Sequence, residues 1–202
     1  MQQARPVGWF APATLKKGEV QADEQQDEQQ DEQQAQEEPA DHGLGRSHGG
    51  LTTKIHLISD AKARPVSAVL SAGQTHDIKC LQALLDSVRV PTLGRGRPRK
   101  RPIRLALDKG YSFPASRQLL RRRGIRCMIP EREDHRNHRK KMGSDGGRPC
   151  LFDRAFYRWR NVVERCALRL KQFRRVATRY DKRADVYLAS ISFAAIIIWL
   201  RS

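Results

Sequence analysis

From Asp153 to Arg175 the chain reads DRAFYRWRNVVERCALRLKQFRR, and its apolar and polar positions alternate at helical spacing. Phe156, Trp159, Val163, Cys166, Leu170 and Phe173 make one broad apolar face, wide enough to pack on a core. Arg154, Arg158, Arg165 and Arg169 form a basic ladder on a second face. Tyr157, Arg160, Glu164 and Lys171 fall between them, within about one sixth of the circumference. Glu164 is the one acid among them.

The rest of the pattern predicts an α/β chain. Thr53, Ile55 and Leu57 alternate in Leu51–Ser59, and Val66, Ala68 and Leu70 do so in Pro65–Ser71. With a turn at Asp60–Arg64 between them, these read as an antiparallel pair. Ile78–Val88 is an amphipathic helix, with His76-Asp77 able to cap it. Ile103, Leu105, Ala106 and Leu107 form a buried-type strand that runs into Asp108, and a helix follows at Pro114–Arg123. Ile125–Pro130 is a further strand. Gly94–Arg101 (GRGRPRKR) and Glu131–Arg148 lack any apolar period and read as basic loops. Ala184–Leu200 is strongly apolar, yet too short and too closely edged by Asp185 to span a bilayer, so it is expected to be buried against the sheet.

Composition separates the first 42 residues from the rest. DEQQDEQQDEQQ at Asp23–Gln34 is a four-residue repeat almost free of apolar side chains, so residues 1–42 are expected to be a disordered acidic tail. Residues 1–41 hold ten acids and three bases, leaving residues 42–202 with 36 bases and 12 acids, a net of +24. Such an excess fits a polyanionic partner, because Lys and Arg displace counterions from phosphates. Arg97, Arg99, Lys100, Arg139, Lys140 and Lys141, in the two basic loops, are candidates for phosphate contact. Cys80, Cys127, Cys150 and Cys166 show no CxxC pairing and no signal peptide opens the chain, which points to reduced thiols in the cytoplasm. A zinc set from Cys127, His135, His138 and Cys150 has an uncommon spacing.

Asp108 and Glu164 are the candidates for chemistry. An acid at the carboxyl end of a central strand stands where α/β sheets hold ligands, although such an Asp also caps helices in ordinary proteins. Two or three carboxylates converging in a basic surface suit Mg²⁺ or Mn²⁺, which prefer hard oxygen ligands.

The spacing Tyr157-x2-Arg160-x3-Glu164-x6-Lys171 resembles the signature of the IS4/IS5 class of bacterial insertion-sequence transposases. Two further stretches are similar to the same family. One is GRSHGGLTTKIH with the later GQTHD, where Lys54, His56, His76 and Asp77 match and His48 stands in place of the usual arginine; the other is LALDKGY around Asp108. The resemblance implies an RNase H-like fold, with helices on both sides of a mixed five-stranded sheet. It implies an Asp-Asp-Glu site in which Asp108 and Glu164 hold Mg²⁺ or Mn²⁺, while Tyr157, Arg160 and Lys171 contact DNA. The implied reaction is strand cleavage at terminal inverted repeats and transfer to target DNA, performed in a bacterial cytoplasm at the nucleoid. The family's first acid lies on the opening strand of the sheet, ahead of the GRS segment. Nothing before Gly43 reads as such a strand, since Asp23, Asp27, Asp31 and Asp41 lie in repeat or linker. The expectation is therefore a partial domain over residues 43–202, truncated at its start, lacking the first strand and inactive without a companion chain or a homodimer partner. A non-catalytic DNA-binding remnant and a basic RNA-binding protein are the alternatives.

Overall fold

The computed structural model describes Trp9–Phe10, residues 40–47, 50–92 and 94–202. The long strand β3 (Gly50–Asp60) pairs antiparallel with β4 (Pro65–Ala72), and with the short β2 (Gly45–Ser47) at its first residues. Their hairpin closes on Asp60, whose Oδ1 accepts from the amides of Lys62 and Arg64, both at 2.9 Å. Ala63 takes the left-handed conformation there (φ 59°), rare for a residue with a side chain. Gly73 leaves no room for a side chain at the far end, because a Cβ would lie 2.0 Å from Thr52 Oγ1.

The sequence pattern places the core strands and helices correctly. α1 (Asp77–Asp86) follows β4, with His76 at its N-cap. β5 (Arg104–Ala106), a 3₁₀ turn (Lys109–Tyr111), α2 (Pro114–Arg122) and β6 (Arg126–Met128) come next, and β5 and β6 are parallel. One face of the sheet packs Ile58, Leu105 and Leu107 against Leu81, Leu84, Leu120 and Ile129. The other packs Ile55, Leu57, Ala106 and Met128 against the C-terminal helices. The result is a mixed sheet with parallel and antiparallel strands and helices on both faces, compatible with an RNase H-like fold.

Four expectations need correction. The sheet does not lack a strand ahead of Gly45. β1 (Trp9–Phe10) lies in its centre, antiparallel to β3 (Trp9↔Asp60) and parallel to β5 (Phe10↔Ala106), and so makes six strands rather than five. Two residues are too short for periodicity to register. The segment after Glu131 contains a helix, α3 (Glu133–Lys141). It has no apolar stripe. Its stabilising features are Glu133 and Asp134 in the first turn and four cationic or imidazole side chains in the last, matched to the helix dipole.

The helix from Asp153 to Arg175 is not continuous. It divides into α4 (Arg154–Arg158), α5 (Asn161–Lys171) and α6 (Arg174–Ala177). Between α4 and α5 the amides of Arg160, Val162 and Val163 bond three residues back, to Tyr157, Trp159 and Arg160, which tightens the winding. Finally, α7 (Ala184–Leu200) is only half covered: Tyr187, Ile191, Ala194 and Ile198 face the core, while Val186, Phe193, Ile196 and Leu200 are exposed. The acidic repeat at Asp23–Gln34 lies outside the described residues.

Candidate active site

The sheet positions Asp108. Leu107 extends the β5–β6 pairing through its amide to Met128 O (3.1 Å), and Asp108 is the next residue, exposed at the carboxyl end. Its Oδ1 accepts from the Lys109 amide at 2.7 Å and caps the 3₁₀ turn. The cap uses one oxygen of two, so capping does not exhaust the carboxylate.

Glu164 sits in the first turn of α5, with its side chain 50% exposed. Arg160 Nη2 donates to Glu164 Oε1 at 2.6 Å, and the same guanidinium lies 5.9 Å from the Tyr157 ring. The tightened turn between α4 and α5 therefore keeps these three side chains together. Asp153 fixes the segment at its start: it caps α4 through the Phe156 amide (3.0 Å) and reaches Arg104 of β5 at 3.9 Å.

Tyr157 lies within electrostatic reach of both acids. Burial raises its phenol above the ordinary value, Arg160 opposes, and the negative charges of Asp108 and Glu164 raise it further. Burial therefore keeps Tyr157 a neutral hydrogen-bond donor at physiological pH.

Other sequence candidates lie further out. Lys171 is seven residues beyond Glu164, about 10 Å along the axis, and lines a cleft of about 260 Å³ with Thr53, Arg179, Tyr180 and Lys182. Arg97, Arg99 and Lys100 are exposed on a loop closed by a Val90–Arg99 bridge, with N···O distances of 2.9 and 2.8 Å. Lys140 and Lys141 are exposed at the end of α3, whereas Arg139 is gripped by Glu131 through two bonds of 3.0 and 2.9 Å. On the ladder face, Arg169 donates to the carbonyls of Lys62 and Ala63, so it braces the β3–β4 turn. His135, His138 and Cys150 share a basin with Glu131, but Cys127 does not line it. Among the described residues no three His, Cys, Asp or Glu side chains are grouped to hold a metal.

Several supporting residues escape the sequence pattern. Phe113 contacts the His76 and His135 rings edge-on at 5.7 and 5.8 Å, tying α1 and α3 to the Asp108 loop. Tyr111 is 1% exposed beneath that loop, and no hydrogen-bond partner for its hydroxyl lies among the described residues. Lys54 donates to Thr75 O (2.8 Å) and Asp77 (3.3 Å), so this pair of motif residues pins the start of α1 to β3. Arg179 donates to Thr53 Oγ1, to His42 O (2.6 Å) and to Asp181 O (2.8 Å), holding the α6–α7 loop against β3. Apart from Lys54 and Asp77, which the motif marks, each is a single side chain with no period, and only the contact reveals it.

A divalent cation fits this donor set by chemistry. Mg²⁺ binds through one or two carboxylates and completes its shell with water and substrate phosphates, and Asp108 and Glu164 are two exposed carboxylates, each with one oxygen left by its hydrogen bond. Members of this class of domain generally use divalent metals.

The chain is 34% identical over 147 residues to a Burkholderia cepacia protein described as "Putative transposase for insertion sequence element IS402". That match takes in 72% of this chain and 62% of the relative, so the chain spans under two thirds of its length. No solved structure matches. The family model of the transposase DDE domain matches residues 19–199, and the chain belongs to that family.

Proposed function

We propose that the chain is a DNA transposase domain of the IS4/IS5 class, with Asp108 and Glu164 as metal-holding catalytic acids on an RNase H-like sheet. The observation that supports the reading is that both motif acids are exposed where the family's pattern needs them, Asp108 at the carboxyl end of β5 and Glu164 in the first turn of α5 beside Arg160. The substrate is DNA at terminal inverted repeats, and the products are a cut strand and its transfer to a target.

A bound Mg²⁺ or Mn²⁺ supplies charge stabilisation for the attacking and leaving oxygens at phosphorus. The chain's own residues do the rest. Arg160 holds the Glu164 carboxylate in place, and a DNA phosphate competing for Arg160 would leave that carboxylate free to hold a cation together with Asp108. Tyr157, kept protonated, donates a hydrogen bond to a phosphate oxygen, and Lys171 neutralises the backbone further along α5. Arg97, Arg99, Lys100, Lys140 and Lys141 extend the phosphate contacts, and Arg139 joins them where Glu131 leaves a donor free.

The site has two acids where the family's pattern has three. Asp108 stands two residues beyond Ala106, the partner of Phe10. We therefore expect the chain to retard DNA on a gel yet to leave a supercoiled plasmid uncut in Mn²⁺. Any Mn²⁺-dependent nicking that the chain does show should be abolished by Glu164→Gln with retardation intact. Failure to retard DNA, or nicking that survives Glu164→Gln, sinks the assignment.

A further inference from the structure

Residues 94–101, GRGRPRKR, carry five cations in eight positions, and no acid stands between Asp86 and Asp108. Asp86 is itself taken by Arg123 at 2.8 Å. The segment is not a loose connector. Val90 and Arg99 exchange both backbone hydrogen bonds, at 2.9 and 2.8 Å, and close its base. Thr92 Oγ1 reaches the carbonyls of Gly94 and Gly96 at 3.4 and 3.2 Å, and Arg101 donates to Arg123 O at 2.8 Å. Beyond that base Arg95, Gly96, Arg97 and Pro98 are exposed, a short arm fixed at its root.

The arm is shaped for a groove in DNA and not for phosphates alone. Neither Gly94 nor Gly96 takes a positive φ. A Cβ on Gly94 would meet nothing within 4 Å, and one on Gly96 would meet only the Thr92 hydroxyl oxygen, at 3.2 Å. The fold does not require these side chains to be missing, whereas close approach of the backbone to a partner does. Pro98 sets its own φ and holds Arg97 extended, so little freedom is lost on docking. The minor groove of DNA, about 6 Å wide, excludes a helix but admits a bare backbone flanked by guanidinium groups. A·T tracts narrow that groove further and concentrate the negative potential that draws arginine in.

We propose that Arg95-Gly96-Arg97-Pro98 is a minor-groove reader whose ligand is A·T-rich duplex DNA. Gly96 lies against the groove floor with Arg95 and Arg97 along it, and Arg99 and Lys100 rest on the flanking phosphates. The amino group of guanine projects into the same groove and obstructs the approach. Arg97, placed above among the phosphate contacts, thereby also reports base composition. The arm joins β5 at its amino end, and Asp108 stands beyond the carboxyl end. The seven residues from Arg101 to Asp108 put the arm's root at most about 23 Å from that acid, the length of about seven base pairs. It is a second contact on the duplex, away from the phosphate being cut. The proposal rests on the reading of the chain as a DNA-acting domain.

Fluorescence anisotropy of the full chain on three duplexes of equal length tests it: one A·T-rich, one G·C-rich, and the G·C-rich one with inosine for every guanine. The A·T duplex should bind about tenfold tighter than the G·C duplex. The inosine duplex, which lacks the guanine amino group, should bind like the A·T one. Arg95→Lys combined with Arg97→Lys keeps the charge but replaces each guanidinium by a more strongly hydrated ammonium. It should remove most of the preference and leave the slope of log affinity against log salt unchanged, with the circular dichroism spectrum unaltered. Equal affinity for all three duplexes overturns the proposal and leaves the DNA reading standing, whereas binding to none overturns both. An inosine duplex bound like the G·C one overturns the minor groove as the place read. A preference that survives the double substitution overturns the arm as the reader. Double-stranded RNA of A·U sequence, whose minor groove is wide and shallow, should bind no better than G·C DNA, and tight binding there also overturns the proposal.

Discussion

Two arginine–glutamate pairs flank the candidate active site, and they are built differently. Arg139 meets Glu131 through two bonds, and both side chains are about one-fifth exposed, at 20% and 21%. The fork holds the Glu131 carboxyl below the usual carboxylate range, its hydrogen bonds outweighing the small cost of burial. Arg160 meets Glu164 through a single bond, and half of the Glu164 side chain is open to solvent. A bidentate pair is hard to separate, because releasing it breaks two oriented charge-assisted bonds at once. A single-bonded, half-exposed pair yields to a competing phosphate or cation. The first pair holds α3 to the loop before it, and the second contains the carboxylate that we propose as a poised ligand.

Removing each carboxylate should expose that difference. Glu164→Gln should eliminate any Mn²⁺-dependent plasmid nicking and leave the thermal midpoint within about 1 °C of its parent, as expected for an exposed i,i+4 pair. Glu131→Gln should do the reverse. It should lower the midpoint by a few degrees and reduce nicking only in proportion to the folded fraction. Equal loss of nicking in both variants, with both fully folded by circular dichroism, breaks the distinction between poised ligand and lock.

The sequence makes Glu164 legible because four side chains repeat on one helical face, and Asp108 because an apolar run ends in an acid. It makes the core legible for the same reason: Ile55, Leu57, Leu81, Leu84 and Leu170 recur with the periods of strand and helix. It misses β1, where two residues leave no period to count and only pairing with β3 and β5 identifies a strand. It misses α3, whose stabilisation comes from charge placement. It also misses the division of α4 from α5, which depends on three amides bonding three residues back. Phe113, Tyr111 and Arg179 are invisible because each acts through a contact between segments distant in sequence.

A smaller effect separates the buried polar layer of β3 from the exposed acids. His56 is fully buried. Burial lowers its pKa below 6.5, with Lys54 pushing the same way and Asp77 opposing. As pH falls below 6.5, the unfolded chain takes up a proton that the folded chain refuses, so stability present above 6.5 is lost on descent through the folded value. Glu131, lowered from 4.5, acts with the same sign, but its loss begins only below about that value. Denaturant midpoints between pH 6.5 and 4.5 should therefore fall, and His56→Gln should flatten that slope. An unchanged slope removes His56 from the account.

The smallest expected change is the most discriminating for the open pair. Arg160→Ala should cost about 0.3–0.5 kcal/mol of stability, the usual worth of an i,i+4 helix pair. Its effect on DNA should be separate from that. If Arg160 leaves Glu164 for a phosphate, its removal deletes one counterion-releasing contact, and the slope of log affinity against log salt should flatten by about one. Arg139→Ala, whose guanidinium is engaged by Glu131, should leave that slope closer to the parent value. The two slopes, measured side by side by fluorescence anisotropy on one duplex, rank the pairs by how readily each arginine reaches DNA. Identical slopes for both variants mean that Glu164 grips Arg160 no less firmly than Glu131 grips Arg139, and that Glu164 is not freed by a phosphate taking its partner.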